Sequence, residues 1–252
     1  MFSLSTISPY RRYLAGLTVI GLILGALIFK HLSRPCADGT PSDMNPLHSD
    51  FLNYWAAPQI AAQHLPTLFD LRGYLDAVVA LCQCGDPGSH NWSYMPHTLF
   101  FLMPFGQMPL FMSFMVWVAL GLACFLWCAR LCLPATKDRT FTLGMLALSP
   151  AALLGYNTGQ NSFFIAAAAL GVLHLAQQKR FAPAGMLLGC LTVKPHLFVL
   201  WPFMLLRRAQ WRVIFFACLT IAVLVGASLA VHGIESWQRY FATTPQVQSH
   251  LL

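Results

Sequence analysis

Asp50 stands in the run Ser49-Asp50-Phe51-Leu52-Asn53-Tyr54-Trp55-Ala56, a carboxylate at the head of a helix-periodic aromatic series. Such a residue either caps the helix by accepting hydrogen bonds from its first turn, or serves as a general base that takes the proton of a hydroxyl nucleophile. Lys194, in Val193-Lys194-Pro195-His196, is a cation set in apolar sequence at a proline break. It either snorkels to the surface along its aliphatic stem or holds an anionic phosphate as a point charge. Two further polar stretches, Tyr94-Met95-Pro96-His97 and Gly159-Gln160-Asn161, read by themselves as turns. No Asp-x-Asp pair occurs, so no divalent metal and no cofactor is implied. Cys82-Gln83-Cys84 lacks the second pair that a zinc site needs. In an oxidising compartment Cys36 can pair with Cys82 or Cys84. Cys124, Cys128 and Cys132, together with Cys190 and Cys218, lie in apolar runs and read as small buried apolar residues.

The elements that position these residues belong in lipid. Hydrophobic residues make up 57% of the 252, charged residues only 9%, and the mean hydropathy is +0.61. So little charge cannot cover the surface of a soluble domain, whereas a bilayer asks for none along the spanning faces. The net charge of +7 sits in short clusters between apolar runs: Arg11-Arg12, Lys137 with Arg139, Lys179-Arg180, and Arg207-Arg208 with Arg212. This is the pattern of cytoplasmic loops; no basic-aromatic module for nucleic acid is present. Six of the 8 acids (Asp38, Asp43, Asp50, Asp70, Asp76 and Asp86) lie between the first two membrane segments, which sets that stretch apart.

At about 20 residues per crossing, the chain divides as follows. Residues 13–29, behind Arg11-Arg12, form a first membrane helix with a cytoplasmic N-terminus. Residues 30–97 form a long extracytoplasmic loop whose aromatic-rich helices suit the membrane interface. A short interfacial or re-entrant segment covers 98–109, and membrane helices cover 110–133, 141–156 and 162–176. Residues 181–206 have basic clusters at both ends and Lys194-Pro195 at the centre. Two short helices meeting at that proline keep both ends cytoplasmic. Residues 213–231 cross outward, and 232–252 begin an outer segment with Glu235, Trp237 and Tyr240. The fold class is all-α, a polytopic transmembrane bundle forming a single domain.

The ordered set Ser-Asp-Phe-x-x-Tyr-Trp-x-Ala at 49–57, Leu68-Phe69-Asp70, Tyr94-x-Pro96, Gly159-Gln160-Asn161, Ala184-Gly185 and Lys194-Pro195 resembles glycosyltransferase family 87. The resemblance runs from about Ser49 to Trp237 and implies a GT-C bundle. It implies transfer of a hexose, mannose foremost, from a polyprenyl-phosphate sugar to a lipid-linked or envelope acceptor, on the extracytoplasmic face of the plasma membrane. The resemblance implies that Asp50, which matches the family's loop aspartate, is the general base. Lys194 would bind the leaving phosphate, with His97 and His196 as further candidates and Tyr54, Tyr94, Gln160 and Asn161 lining the substrate site; Asp70 would organise the loop. The expected partners are membrane lipid and the lipid-linked sugar. Family members usually continue with further helices, so a second chain is a candidate source of these. The chain departs from the family pattern in its longer, cysteine-rich first loop and in His97, where a second proline is common. Two rival readings use the same helices: a non-catalytic scaffold or subunit, and a transporter of lipid-linked sugars, although the chain shows no internal repeat.

Overall fold

The computed structural model describes residues 50–82 and 91–249, with residues 15, 16, 18, 19 and 23 of the N-terminal segment. The rest of the expected first membrane helix, Cys36 and Cys84 lie outside the described residues. Cys82 is disulfide-bonded.

All regular structure among the described residues is helical. Helix α1 spans Asp50–His64, a 3-10 turn covers Leu65–Phe69, and α2 spans Leu71–Cys82. A second 3-10 turn, Pro96–Thr98, leads into α3, Leu99–Gly106. Then follow α4 (Leu110–Cys132), α5 (Arg139–Ala147), α6 (Pro150–Thr158), α7 (Ser162–Gln177) and α8 (Phe181–Cys190). After 3-10 turns at Leu191–Val193 and Pro195–Phe198 come α9, Trp201–Arg207, and α10, Trp211–Ser249.

The core is built around α1. Every residue from Phe51 to Pro58 is buried, so the first two turns of α1 have no wet face and lie inside the protein; only its end, Ala62 to His64, is exposed. It packs on α3 and α4, and its neighbours fix its rotation. Tyr74 of α2 donates to Asn53 Oδ1 at 2.8 Å, and Trp55 Nε1 donates to the Met108 carbonyl at 2.8 Å. Phe51, Tyr54 and Phe105 crowd the Trp117 ring at centroid separations of 5.9, 5.2 and 4.8 Å.

The longer helices show the opposite exposure. Phe111 and Trp127 of α4 are 64% and 65% exposed, and Phe215 and Val231 of α10 are 62% and 67% exposed. Leu110–Cys132 and Trp211–Thr244 are each long and apolar enough to cross a membrane. Large apolar side chains facing outward along whole helices suit lipid and not water.

The single helix expected over 141–156 is divided. Ser149 accepts from the Ala152 N–H and Pro150 takes the first helical position, so a new helix starts there by ordinary capping. The segment that begins at residue 232 is mostly helical. Helix α10 continues past 231 and turns at Gly233, whose φ of 72° and ψ of 165° are non-helical. Trp237 Nε1 donates to Ser228 Oγ at 2.8 Å across that turn, and the last part of α10 folds back over the 96–98 turn.

Helices α8 and α10 run side by side in the same direction. A Cβ on Gly185 would collide with the Val213 carbonyl, and one on Gly189 would meet Thr220 Cβ at 2.6 Å. This small-x-x-x-small stripe lets the two backbones touch, the closest approach that helices in lipid use. Replacing Gly189 with Leu is expected to force the pair apart and lower stability by about 1–3 kcal/mol. Thermal unfolding of detergent-solubilised protein measures this; an unchanged midpoint would show that the contact contributes nothing.

Candidate functional site

Lys179 and Arg180 lie at the start of α8, and Lys194 lies beyond its other end. The parallel run of α8 and α10 therefore gathers Lys179, Arg180, Arg207, Arg208 and Arg212 at one end of the bundle and leaves Lys194 at the opposite one. Pro195 stops helix at residue 194, which adopts φ −131° and ψ 75° between the two 3-10 turns.

Around Lys194 the protein assembles residues far apart in sequence. Gly159 ends α6 in the left-handed conformation, φ 59°. A Cβ there would stand 2.6 Å from Phe51 Cβ and 2.9 Å from the Phe114 ring, and the Gly159 carbonyl accepts from Trp117 Nε1 at 2.8 Å. The Gly159-Gln160-Asn161 turn is thus wedged between α1 and α4, one residue from Asp50. Asn161 is buried, and its backbone bonds to the Tyr54 hydroxyl. Tyr54 and Tyr94 share a hydroxyl–hydroxyl bond of 2.8 Å, with rings edge to face at 5.6 Å. Gln160 is half-buried beside them.

The Asp50 carboxylate acts electrostatically on Tyr54, Tyr94 and Lys194. Burial pushes the Tyr54 hydroxyl far above its ordinary pKa, with Tyr94 and Asp50 adding to the rise. Burial also raises Tyr94, reinforced by Asp50. Both phenols stay protonated donors. Lys194 is half-buried; burial lowers its pKa and the negative charge of Asp50 opposes that fall. Among the described residues Lys194 makes no ion pair, with Asp50 or any other carboxylate.

Two cavities flank the tyrosine pair. One, of about 370 Å³, is polar and is bounded by Tyr94, Lys194, His196, Tyr240 and Thr244. The other, of about 240 Å³, is nearly all apolar, with Tyr54, Phe101, Phe105, Leu120, Phe164 and Val193 in its wall. Thr98 and Asn161 also face the second cavity, and Thr98 Oγ1 and Asn161 Oδ1 have no hydrogen-bond partner among the described residues. Val193 borders both. Tyr240 and Thr244 escape sequence reasoning because only the turn at Gly233 returns them to the site.

The residues from 92 onward match a known family: the sequence model of glycosyltransferase family 87 covers residues 92–252, well over half the chain. The chain belongs to glycosyltransferase family 87. Neither a curated protein nor a solved structure matches it. Family membership makes glycosyl transfer the chemistry, and the two long apolar helices point to a membrane protein. Tyr94, Gln160, Asn161, Lys194 and His196 fall within the family match; Asp50 and Tyr54 lie before it and are held to it by the Phe51–Gly159 contact and the tyrosine pair. Among the described residues no three His, Cys, Asp or Glu side chains converge so as to hold a metal ion.

His97 takes a different place from the other site candidates. It is 1% exposed, lines neither cavity and stacks on Trp237 at 5.9 Å. Its Nε2 lies 3.2 Å from Thr192 Oγ1, and that hydroxyl donates its one proton to the Gly189 carbonyl at 2.8 Å. Nε2 must therefore be the donor, and the ring is the neutral Nε2–H tautomer. Burial lowers its pKa to about 4, so it carries no charge to offer a phosphate. It instead ties the first loop to the turn just before Lys194.

This burial gives a pH signature. The unfolded ring titrates near 6.5 and the folded one near 4. Between those values the unfolded chain binds the extra proton, so stability falls as pH drops through that window. Thermal unfolding should show a loss of roughly 2–3 kcal/mol on acidification from about 6.5 to 4. His97→Gln, which keeps a donor toward Thr192, should flatten that component. Parallel profiles for parent and variant would remove His97 as its source.

Proposed function

We propose that the chain transfers a hexose, mannose foremost, from a polyprenyl-phosphate sugar to a lipid-linked or envelope acceptor, on a GT-C type bundle in the plasma membrane. The observation that carries this reading is the polar cavity with Lys194 and the apolar cavity meeting at the Tyr54–Tyr94 pair, beside Asp50. That shape suits an amphiphile with an anionic, sugar-bearing head and an apolar tail. The site lies extracytoplasmic, because the basic clusters gather at the other end.

In the reaction the acceptor hydroxyl attacks the anomeric carbon while Asp50 takes its proton. The bond from that carbon to the donor phosphate breaks, and the electron pair stays on the phosphate oxygen. Lys194 meets the charge that develops there, with His196 at the same cavity. Tyr94, kept protonated, donates to the head group, and Tyr54 orients Tyr94. Asn161 and Thr98 offer polar atoms to the donor where its head joins its tail. Lysine serves here as a point charge in a half-dry setting, where its attraction for phosphate exceeds that in bulk water.

Sugar transfer from a polyprenyl-phosphate donor, measured on membrane-extracted protein, tests this. Asp50→Asn is expected to lower turnover by at least about 100-fold, and Lys194→Ala by about 100- to 1,000-fold, both with the parent's thermal midpoint. Equal turnover in Asp50→Asn and parent would remove Asp50 as the base. Flipping of the lipid-linked sugar in proteoliposomes that survives both changes, without transfer, would favour a transporter instead.

A further inference from the structure

The end of the bundle away from Asp50 holds a further cavity of a different kind. It measures about 580 Å³ and lies between the first turns of α8 and α10, bounded by Lys179, Phe181, Trp211, Arg212 and Phe215. Lys179 reaches it from a left-handed backbone, φ 60°, at the end of α7, where its N–H donates to the Ala176 carbonyl and the Arg180 N–H donates to the Leu175 carbonyl. Arg180, Arg207 and Arg208 stand around it in sequence and are exposed. None of these five cations makes an ion pair or a side-chain hydrogen bond among the described residues. The single N-capping side chain of α8, that of Arg180, makes no capping bond.

Unpaired cations around a cavity call for an anion, and the aromatic wall decides which source. Trp211 and Phe215 are each 62% exposed. They stand at the start of the span Trp211–Thr244, where the apolar bilayer meets its headgroups. Phe215 and Leu219, one helical turn apart and both exposed, continue the apolar track along α10. A soluble anion has no use for that track, whereas acyl chains do. We propose that this cavity binds the headgroup of an anionic phospholipid, with the phosphate between Lys179 and Arg212 and the acyl chains along Phe215 and Leu219. Basic pockets between membrane helices take such headgroups. The bound lipid would brace the α8–α10 pair at the end opposite the sugar-transfer site, and the assignment does not depend on that chemistry.

The test uses the full chain purified in detergent, titrated with phosphatidylglycerol, phosphatidylcholine or inorganic phosphate while the thermal midpoint is followed. Phosphatidylglycerol should raise the midpoint; phosphatidylcholine and inorganic phosphate should not. Each cation near an anionic headgroup contributes roughly fivefold, so Lys179→Ala combined with Arg212→Ala should raise the half-saturating lipid concentration about 25-fold. Lys179→Ala alone should raise it about fivefold, and Arg130→Ala, at the end of α4 outside the cavity, should leave it unchanged. Equal saturation in the double variant and the parent would overturn the site. A midpoint raised as much by inorganic phosphate would make it a soluble-anion site, and an equal loss in Arg130→Ala would reduce it to diffuse charge.

Discussion

The close contact of Gly159 with Phe51 governs how the site is built. A side chain at 159 would collide with the Phe51 and Phe114 side chains and would also be strained by the positive φ. With none there, the end of α6 drops against the head of α1, and Trp117 pins the turn by donating its indole N–H to the Gly159 carbonyl. Asn161 then reaches Tyr54, Tyr54 reaches Tyr94, and Asp50 comes within electrostatic range of Lys194. A residue from the first long loop and a cation from a helix break more than a hundred positions later thus share one site because of a missing side chain.

The energetics of Lys194 follow from that arrangement. Burial works against its charge and Asp50 works for it. The carboxylate is near enough to help hold the ammonium charged and too far to pair with it, so the positive charge stays available to a phosphate. His97 secures the same turn from behind as an uncharged ring, through Thr192. The two histidines differ in place: His97 is buried, and His196 is exposed at the polar cavity.

Much of this is legible from residue types. Apolar runs bounded by basic clusters mark the helical elements, the break before Pro195 follows from proline sterics, and the polar residues that converge are among those that stand out in an apolar chain. Other features resist such reading. Ser149-Pro150 carries the signal for a new helix, but the apolar run across it hides the division of α5 from α6. The aromatic series in α1 suits a membrane interface as well as a core, and only the packing of α2, α3 and α4 around it decides for the core. Tyr240 and Thr244 join the site through the turn at Gly233, and a glycine in an apolar helix announces no direction of turn. Thr192 has no distinguishing context in the sequence; its use is apparent only beside His97.

The central claim is that one lipid-linked sugar lies across the Tyr54–Tyr94 pair, with its phosphate at Lys194. Photoaffinity labelling with a polyprenyl-phosphate sugar carrying its photoreactive group on the head, followed by peptide mapping, tests it most directly. The account predicts labelling of the segments that hold Tyr94 and Lys194-Pro195-His196, competed by unmodified donor. Competed labelling found instead along the apolar cavity lined by Trp201, Leu205 and Ile214, with none at Tyr94 or Lys194, would contradict it.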